Sequence, residues 1–205
     1  TNVTGRTIDC QRSQFTLNKV GAYLGAVDNA TFMTNTFKMI DYKSDQGYFS
    51  VGLYMELSSK YTVVGNIFSN NTANIASNPT IGSIIYNSNV SPLGGNSDDN
   101  LVYKNTYKKL HFGTQSVDLN YHDLNTSNDQ HNEGGLHYHC NTFEAPIVWS
   151  DMVTSKTFNS ADCAIDHNQG YTLGQNNGFA TGNKYSYTWI NNVRDILQDD
   201  AAWPI

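Results

Sequence analysis

The 205-residue chain has a net charge of −6, and its twelve Lys and Arg residues are scattered. This balance argues against nucleic-acid binding, which requires a basic surface, and no apolar run approaches the roughly 18 residues of a membrane-spanning helix. Only 15% of the residues are charged, whereas 26 are Asn and 12% are aromatic. This composition is typical of a β-structure with many corners, because Asn tolerates the left-handed backbone of tight turns.

A short segment recurs along the chain: Asn-x-Phe/Tyr, with an apolar residue five positions before the aromatic ring. An imperfect first copy runs from Cys10 to Phe15, where Gln14 replaces the Asn. Full copies end at the aromatic positions 37, 68, 107 and 143 and a weaker copy at 185, which gives separations of 31, 39, 36 and 42 residues. A bare coil of a β-solenoid needs roughly 20 to 30 residues, so the excess is expected in loops.

The stretch from Gly52 to Thr72 reads as successive short strands separated by Ser-Ser and Gly-Asn corners. Its inward residues are predicted to be Leu53, Met55, Leu57, Tyr61 and Val63. Such short strands cannot build an ordinary hairpin sheet, whereas a solenoid buries them by stacking one coil on the next. The sequence therefore predicts an all-β parallel solenoid over residues 1–188, and an antiparallel sandwich with Asn-rich turns is the alternative.

Aligning the copies assigns residues to columns that run along the solenoid. One inward column holds Phe32, Val63, Val102 and Tyr138. A second inward column holds Phe37, Phe68, Tyr107 and Phe143. The corner column holds Asn35, Asn66, Asn105 and Asn141, whose side-chain amides are expected to form a hydrogen-bonded ladder.

Two polar stretches, residues 75–100 and 119–135, are predicted to be long loop insertions. The tail, Trp189–Ile205, has apolar residues at helical spacing: Ile190, Val193, Ile196 and Leu197. We expect this tail to be a capping segment with a short C-terminal helix, because an open solenoid end exposes core and strand edges.

The three cysteines, Cys10, Cys140 and Cys163, match no metal-ligand spacing. Alternation with Leu136 and Tyr138 places Cys140 inward, and Cys163 follows about one coil later, so a disulfide between them is geometrically feasible. An inward cysteine also serves as a small packing residue. The sequence leaves both alternatives open.

The stretch GLYMELSSKYTVVGNIFSNN, residues 52–71, resembles a coil of the right-handed parallel β-helix proteins of the pectate-lyase-like superfamily. The segment from Leu136 to Phe143 is similar to coils of large cell-surface β-helix proteins of Bacteroidetes. The resemblance implies a right-handed parallel β-helix in a secreted or cell-surface protein. Since the superfamily includes lyases, hydrolases and adhesins, it does not define one activity.

Carbohydrate contacts are predicted at outward aromatic residues, because sugar C–H faces stack on rings while Asn amides bond the hydroxyls. The candidates are Tyr103, Tyr121, Trp149 and Tyr171. The alternative is that these rings pack beneath the long loops.

Three histidines lie close in sequence, and alternation places two of them on one outer strand face. His137 and His139 could share a metal ion, with His131 or Glu133 of the preceding loop as a third ligand; the alternative is a solvated strand face. Loop carboxylates could hold Ca²⁺ through oxygen ligands, although no calcium-repeat spacing supports it. These are Asp98, Asp99, Asp123, Asp129 and Glu133.

The sequence favours a non-catalytic, secreted or cell-surface module with a structural or adhesive role that contacts glycans and uses no cofactor. We expect it to be part of a larger surface protein. The alternative is a β-helix polysaccharide lyase or glycoside hydrolase. Hydrolysis requires converging carboxylates, and no column of Asp residues recurs across the copies, so no catalytic residue is assigned.

Overall fold

The structure is a computed structural model that describes residues 7–40, 49–71, 80–86, 88, 100–117, 121–122, 134–144, 150–155 and 194–199. These residues form strands and corners, with no helix among them. The strands in chain order are β1 (Ile8–Gln11), β2 (Gln14–Asn18), β3 (Val20–Gly25), β4 (Ala30–Met33), β5 (Thr36–Met39), β6 (Ser50–Glu56), β7 (Thr62–Val64), β8 (Ile67–Asn70), β9 (Thr80–Tyr86), β10 (Asn100–Tyr103), β11 (Thr106–Lys108), β12 (Phe112–Val117), β13 (Tyr121–His122), β14 (Gly134–His139), β15 (Thr142–Glu144), β16 (Ser150–Ser155) and β17 (Arg194–Asp199).

The strands form three sheets. Each of the first five coils contributes one strand to each sheet, while β13 adds a strand to the first sheet and β17 adds one to the third. The first sheet has the order β1-β4-β7-β10-β14-β13, the second β2-β5-β8-β11-β15, and the third β3-β6-β9-β12-β16-β17. All described pairings are parallel except that of β13 with β14. The predicted parallel β-helix is therefore confirmed, and the antiparallel sandwich is excluded.

Both predicted inward columns are confirmed. The strand register aligns Phe32, Val63, Val102 and Tyr138, and each is at most 3% exposed. The rings of the second column stack face to face, with centroids 4.5 to 5.1 Å apart and planes within 10° of each other. This aromatic stack consists of Phe15, Phe37, Phe68, Tyr107 and Phe143. Each such contact contributes about 0.5–1.5 kcal/mol beyond the burial of the rings.

The corner between the first and second sheets has the same backbone in every described coil. The residue before the corner position, not the Asn itself, adopts the left-handed conformation, with φ between 52° and 63°. These residues are Arg12, Thr34, Gly65, Lys104 and Cys140. The left-handed residue turns the chain, which leaves the Asn side chain free to face the neighbouring coils.

This corner corrects two details of the sequence interpretation. Ser13, not Gln14, takes the corner position of the first coil, because Gln14 pairs with Thr36. Cys140 is half-buried at the corner, not inward, since its left-handed backbone (φ 52°) ends the strand alternation. Cys140 is a free thiol in the structure, and Cys163 lies outside the described residues.

Leu57 also departs from the prediction. Leu53 and Met55 are completely buried as expected, but Leu57 is 47% exposed. It follows the last residue of β6 in a left-handed corner with φ 50°. The corner rotates its side chain out of the inward column.

A column of glycines in the third sheet interrupts the alternation of faces. Leu53 and Met55 belong to the main core, whereas Val51 and Tyr54 belong to a separate apolar cluster on the outer face. Gly52 is therefore one extra residue between the outward Val51 and the inward Leu53. The register places Gly21, Gly82 and Gly113 at the same position in their coils. This glycine column was not predicted, although a Gly occupies the second or third position of each of these four strands.

The predicted C-terminal helix is wrong for Arg194–Asp199. These residues form β17, which pairs in parallel with β16 and extends the third sheet, so that Ile196 lies opposite Met152 and Leu197 opposite Val153. The spacing of Ile196 and Leu197 is compatible with either structure over so short a segment. The rest of the tail 189–205 lies outside the described residues.

Hydroxyl groups line part of the solenoid interior. Ser83 Oγ lies 2.7 Å from Thr114 Oγ1 and 3.3 Å from the Tyr107 hydroxyl. The Tyr138 hydroxyl lies 3.0 Å from Thr114 Oγ1 and 2.8 Å from Ser116 Oγ. Burial raises the pKa of Tyr107 to about 12, although the hydrogen bonds to Ser83 and Thr114 partly offset this effect.

This pKa predicts a loss of stability at alkaline pH. An unfolded tyrosine ionises near pH 10, so between about pH 10 and pH 12 the unfolded chain loses a proton that folded Tyr107 keeps. The stabilisation that protonated Tyr107 supplies is complete below pH 10. We expect the free energy of unfolding to fall by about 2–3 kcal/mol as the pH rises to 12. Urea denaturation across this range measures it, and Tyr107→Phe, which keeps the ring, should show a shallower decline. Equal declines in both proteins would contradict the prediction.

Candidate functional site

Of the four predicted carbohydrate-binding aromatics, Tyr103 is the one whose side chain is described, so their grouping stays a prediction. Tyr103 lies half-buried on the outer face of the first sheet, and Lys104 Nζ is 4.8 Å from its ring centroid. Tyr121 belongs to β13, but its side chain is outside the described part. Trp149 and Tyr171 are also outside it. Tyr103 alone gives no platform for a sugar.

The predicted metal site stays a prediction. His137 lies opposite Leu101 and His139 opposite Tyr103 in the first sheet. Their side chains, His131 and the five loop carboxylates proposed for Ca²⁺ all lie outside the described residues. Within the residues that are described, no group of three His, Cys, Asp or Glu side chains is placed to hold a metal ion.

A different group of side chains forms a site on the outer face of the third sheet. Tyr23 in β3 and Tyr54 in β6 are paired in register, and Glu56 follows two residues later on the same face. We call Tyr23, Tyr54 and Glu56 the tyrosine platform. It arises because strand alternation turns Leu24 and Met55 into the core and leaves the residues on either side of them facing outward.

The two rings of the tyrosine platform are stacked, and the carboxylate fixes one of them. The centroids of Tyr23 and Tyr54 are 5.5 Å apart, with 27° between the ring planes. The Tyr23 hydroxyl donates a hydrogen bond of 2.6 Å to Glu56 Oε2. Tyr23 is nevertheless 61% exposed, so the platform presents a wide aromatic surface that is held in place.

Gly25 provides the space that Tyr23 occupies. A Cβ atom added at Gly25 would lie 3.1 Å from the Tyr23 hydroxyl oxygen and 3.2 Å from the nearest ring carbon. The register pairs Gly25 with Glu56. The phenol of Tyr23 therefore extends along its own strand, over Gly25, to reach the carboxylate of the next coil.

The electrostatics of the platform follow from its carboxylate. The hydrogen bond to Glu56 is the main cause that raises the pKa of Tyr23 above its usual value. Burial raises the pKa of Tyr54, and the negative charge of Glu56 adds to this effect. Both phenols are thus neutral at physiological pH. The O–H of Tyr23 is donated to Glu56, so toward a ligand this hydroxyl serves as an acceptor.

Glu56 is the only charged residue among the described side chains of this sheet, which are those of β3, β6, β9 and β12. Next to the platform, the outer face is apolar and covered, with Val51, Ile81 and Ile84 at most 4% exposed. Tyr23, at 61%, is the most exposed large apolar side chain described on this face, and Val20 at 41% lies on the same strand.

Sequence reasoning missed the platform although a signal was present. Tyr23 and Tyr54 are 31 residues apart, as are the corner-copy aromatics Phe37 and Phe68. Two aromatics at the spacing of the repeat belong to adjacent coils and therefore stack. The Asn corners, by contrast, lie between the first and second sheets and carry no information on the outer face of the third.

In the described part of the chain there is no helix with the length and apolarity to cross a membrane. No protein-family model matches the chain, and no curated protein or solved structure is significantly similar to it.

Proposed function

We propose that this chain is a non-catalytic glycan-binding module of a secreted or cell-surface protein, in which the tyrosine platform is the sugar-binding surface. The observation that carries this proposal is the exposed, stacked pair of Tyr23 and Tyr54 with a carboxylate at its edge. The resemblance to pectate-lyase-like β-helix proteins and to cell-surface proteins of Bacteroidetes supports the same assignment.

The platform has the chemistry of a carbohydrate site. Aromatic rings offer an apolar face to sugar C–H groups, and the phenols and the carboxylate bond to sugar hydroxyls. The rings of Tyr23 and Tyr54 stack on each other, so the face of Tyr23 that is turned away from Tyr54 is the stacking surface offered to a sugar, and Tyr54 supports that ring from behind. The rings are held by the sheet and by Glu56, which reduces the ordering cost of binding.

A binding role is favoured over catalysis by the number of acids on this surface. Glycoside hydrolysis uses two carboxyl groups on either side of the scissile bond, and a lyase requires a cation to hold the uronate carboxylate. The described side chains of the third sheet supply one carboxylate and no cation.

Replacing either tyrosine should weaken glycan binding. We expect Tyr23→Ala and Tyr54→Ala each to raise the dissociation constant about two- to tenfold, because each removes a stacking contact of about 0.5–1.5 kcal/mol. Binding is measured by affinity electrophoresis against a panel of neutral, acidic and amine-bearing polysaccharides. Calorimetry on the best ligand then gives the constants.

Tyr103→Ala is the matched control, since Tyr103 is a half-buried tyrosine on another sheet. It should leave binding unchanged. Loss of binding in Tyr103→Ala but not in the platform variants would move the site to the first sheet. Release of shorter oligosaccharides during incubation would replace the binding role with the enzymatic alternative, and no binding across the panel would overturn the proposal.

A further inference from the structure

Among the described residues, no cation neutralises the charge of Glu56 in the tyrosine platform. One of its oxygens accepts a hydrogen bond from the Tyr23 hydroxyl, but a phenol is neutral and leaves the charge in place. None of the described Lys and Arg side chains forms an ion pair with Glu56; the described ion pair is that of Lys108 with Glu144 on the second sheet. The side chain is only half-buried, so its second oxygen can meet a ligand.

The rings beside this carboxylate have the same electrostatic preference. The face of an aromatic ring carries partial negative charge and attracts cations. Because the two rings stack on each other, this carboxylate combines an ion-pair partner with one open aromatic face, that of Tyr23 turned away from Tyr54. An ammonium group gains from both, a neutral hydroxyl gains one hydrogen bond, and a uronate carboxylate is repelled.

We propose that the tyrosine platform binds a glycan that carries free, protonated amino groups, such as a polymer of glucosamine. The proposal rests on the proposed glycan-binding function and names its ligand class. In the bound state, a sugar ring lies on the open face of Tyr23, and an ammonium group donates to Glu56. Acidic polysaccharides are disfavoured by the same carboxylate.

Three hexasaccharides test the ligand class: glucosamine, its N-acetylated form and galacturonate. Calorimetry with the whole chain should give dissociation constants about tenfold lower for the glucosamine hexamer than for the acetylated one. No binding of the galacturonate hexamer is expected. The preference for the amine should shrink as salt is added, because a partly exposed ion pair is screened.

Glu56→Gln isolates the charge, because glutamine retains an oxygen that can accept from Tyr23. This variant should bind the glucosamine hexamer about tenfold more weakly and the acetylated hexamer as before. Asp9→Asn is the matched control: it removes the same charge from an exposed carboxylate on the first sheet, and it should leave the preference intact.

The outcomes separate this inference from the function on which it rests. If the acetylated hexamer binds as tightly as the amine and Glu56→Gln changes neither, the ligand class is wrong while the glycan-binding function stands. If Asp9→Asn lowers amine binding as much as Glu56→Gln, the attraction is general to the acidic protein and the inference fails. If no hexamer binds and the polysaccharide panel is also negative, the proposed glycan-binding function is wrong, and the inference on its ligand class is wrong with it.

Discussion

Replacing Asn66 with leucine is expected to destabilise the protein by about 4 kcal/mol or more. Asn66 Oδ1 accepts hydrogen bonds from the backbone and side-chain nitrogens of Asn35, at 2.9 and 3.0 Å. Asn66 Nδ2 donates to Phe32 O and to Asn105 Oδ1, at 2.9 and 3.0 Å. Leucine would remove one hydrogen bond from each of four buried partner groups: the two nitrogens of Asn35, the carbonyl oxygen of Phe32 and the side-chain oxygen of Asn105. Each such loss costs about 1–3 kcal/mol.

Chemical denaturation followed by circular dichroism measures this loss through the midpoint and slope. Asn71→Leu is the matched control, because Asn71 is exposed just after β8 and should change stability by less than about 0.5 kcal/mol. A result in which both variants lose similar stability would show that the ladder formed by Asn35, Asn66, Asn105 and Asn141 contributes little beyond backbone pairing.

Replacing Gly52 with alanine is expected to destabilise the protein by about 3 kcal/mol or more. The added Cβ would lie 2.5 Å from Gly82 O, 2.7 Å from a ring carbon of Phe68 and 2.9 Å from the Met39 sulfur. The first atom is backbone of the next coil and the second belongs to the aromatic stack, so neither can move independently. Overpacking of this kind typically costs about 1–3 kcal/mol and occasionally more.

Gly65 provides the control for Gly52. It has the left-handed backbone that normally favours glycine (φ 63°), but the nearest atom to an added Cβ is a Thr34 methyl group at 3.5 Å. Other coils place Thr34 and Lys104 in the same conformation. Gly65→Ala should therefore cost only about 1 kcal/mol. Equal losses in thermal denaturation of the two variants would mean that the contacts around Gly52 relax freely.

The parts of the fold that sequence predicted well are those with a local pattern. The columns of Val63 and Phe68 follow from strand alternation within four or five residues of one Asn corner, and the corner repeats in each full copy. The Gly52 column was not predicted, because a residue without a side chain contributes nothing to an apolar pattern. Cys140 and Leu57 were misplaced for a related reason. A residue with a left-handed backbone interrupts the inward–outward alternation of side chains, and such a residue is hard to recognise in a sequence when it is not glycine.

The candidate site was not predicted from the sequence, for a different physical reason. Tyr23 and Glu56 meet only because β3 and β6 are in register, and the register between coils is set by the whole core. The 31-residue spacing of Tyr23 and Tyr54 matches one separation of the corner copies, but the other copies lie 36 to 42 residues apart, so spacing by itself does not fix which outward residues become neighbours. The helical reading of Ile196 failed likewise, since pairing with β16 outweighed a weak local preference.

The asparagine ladder has a direction, which bears on how the molecule assembles. Three of the four side-chain bonds of Asn66 reach back to the preceding coil and one reaches forward. Asn35 bonds the coil of Ser13 in the same way, although that coil has no asparagine at its corner. Each coil thus brings the side chain that completes the coil made before it. Because synthesis begins at the amino end, each new coil becomes available after the coil whose hydrogen bonds it completes. The solenoid can therefore grow coil by coil as the chain is synthesised.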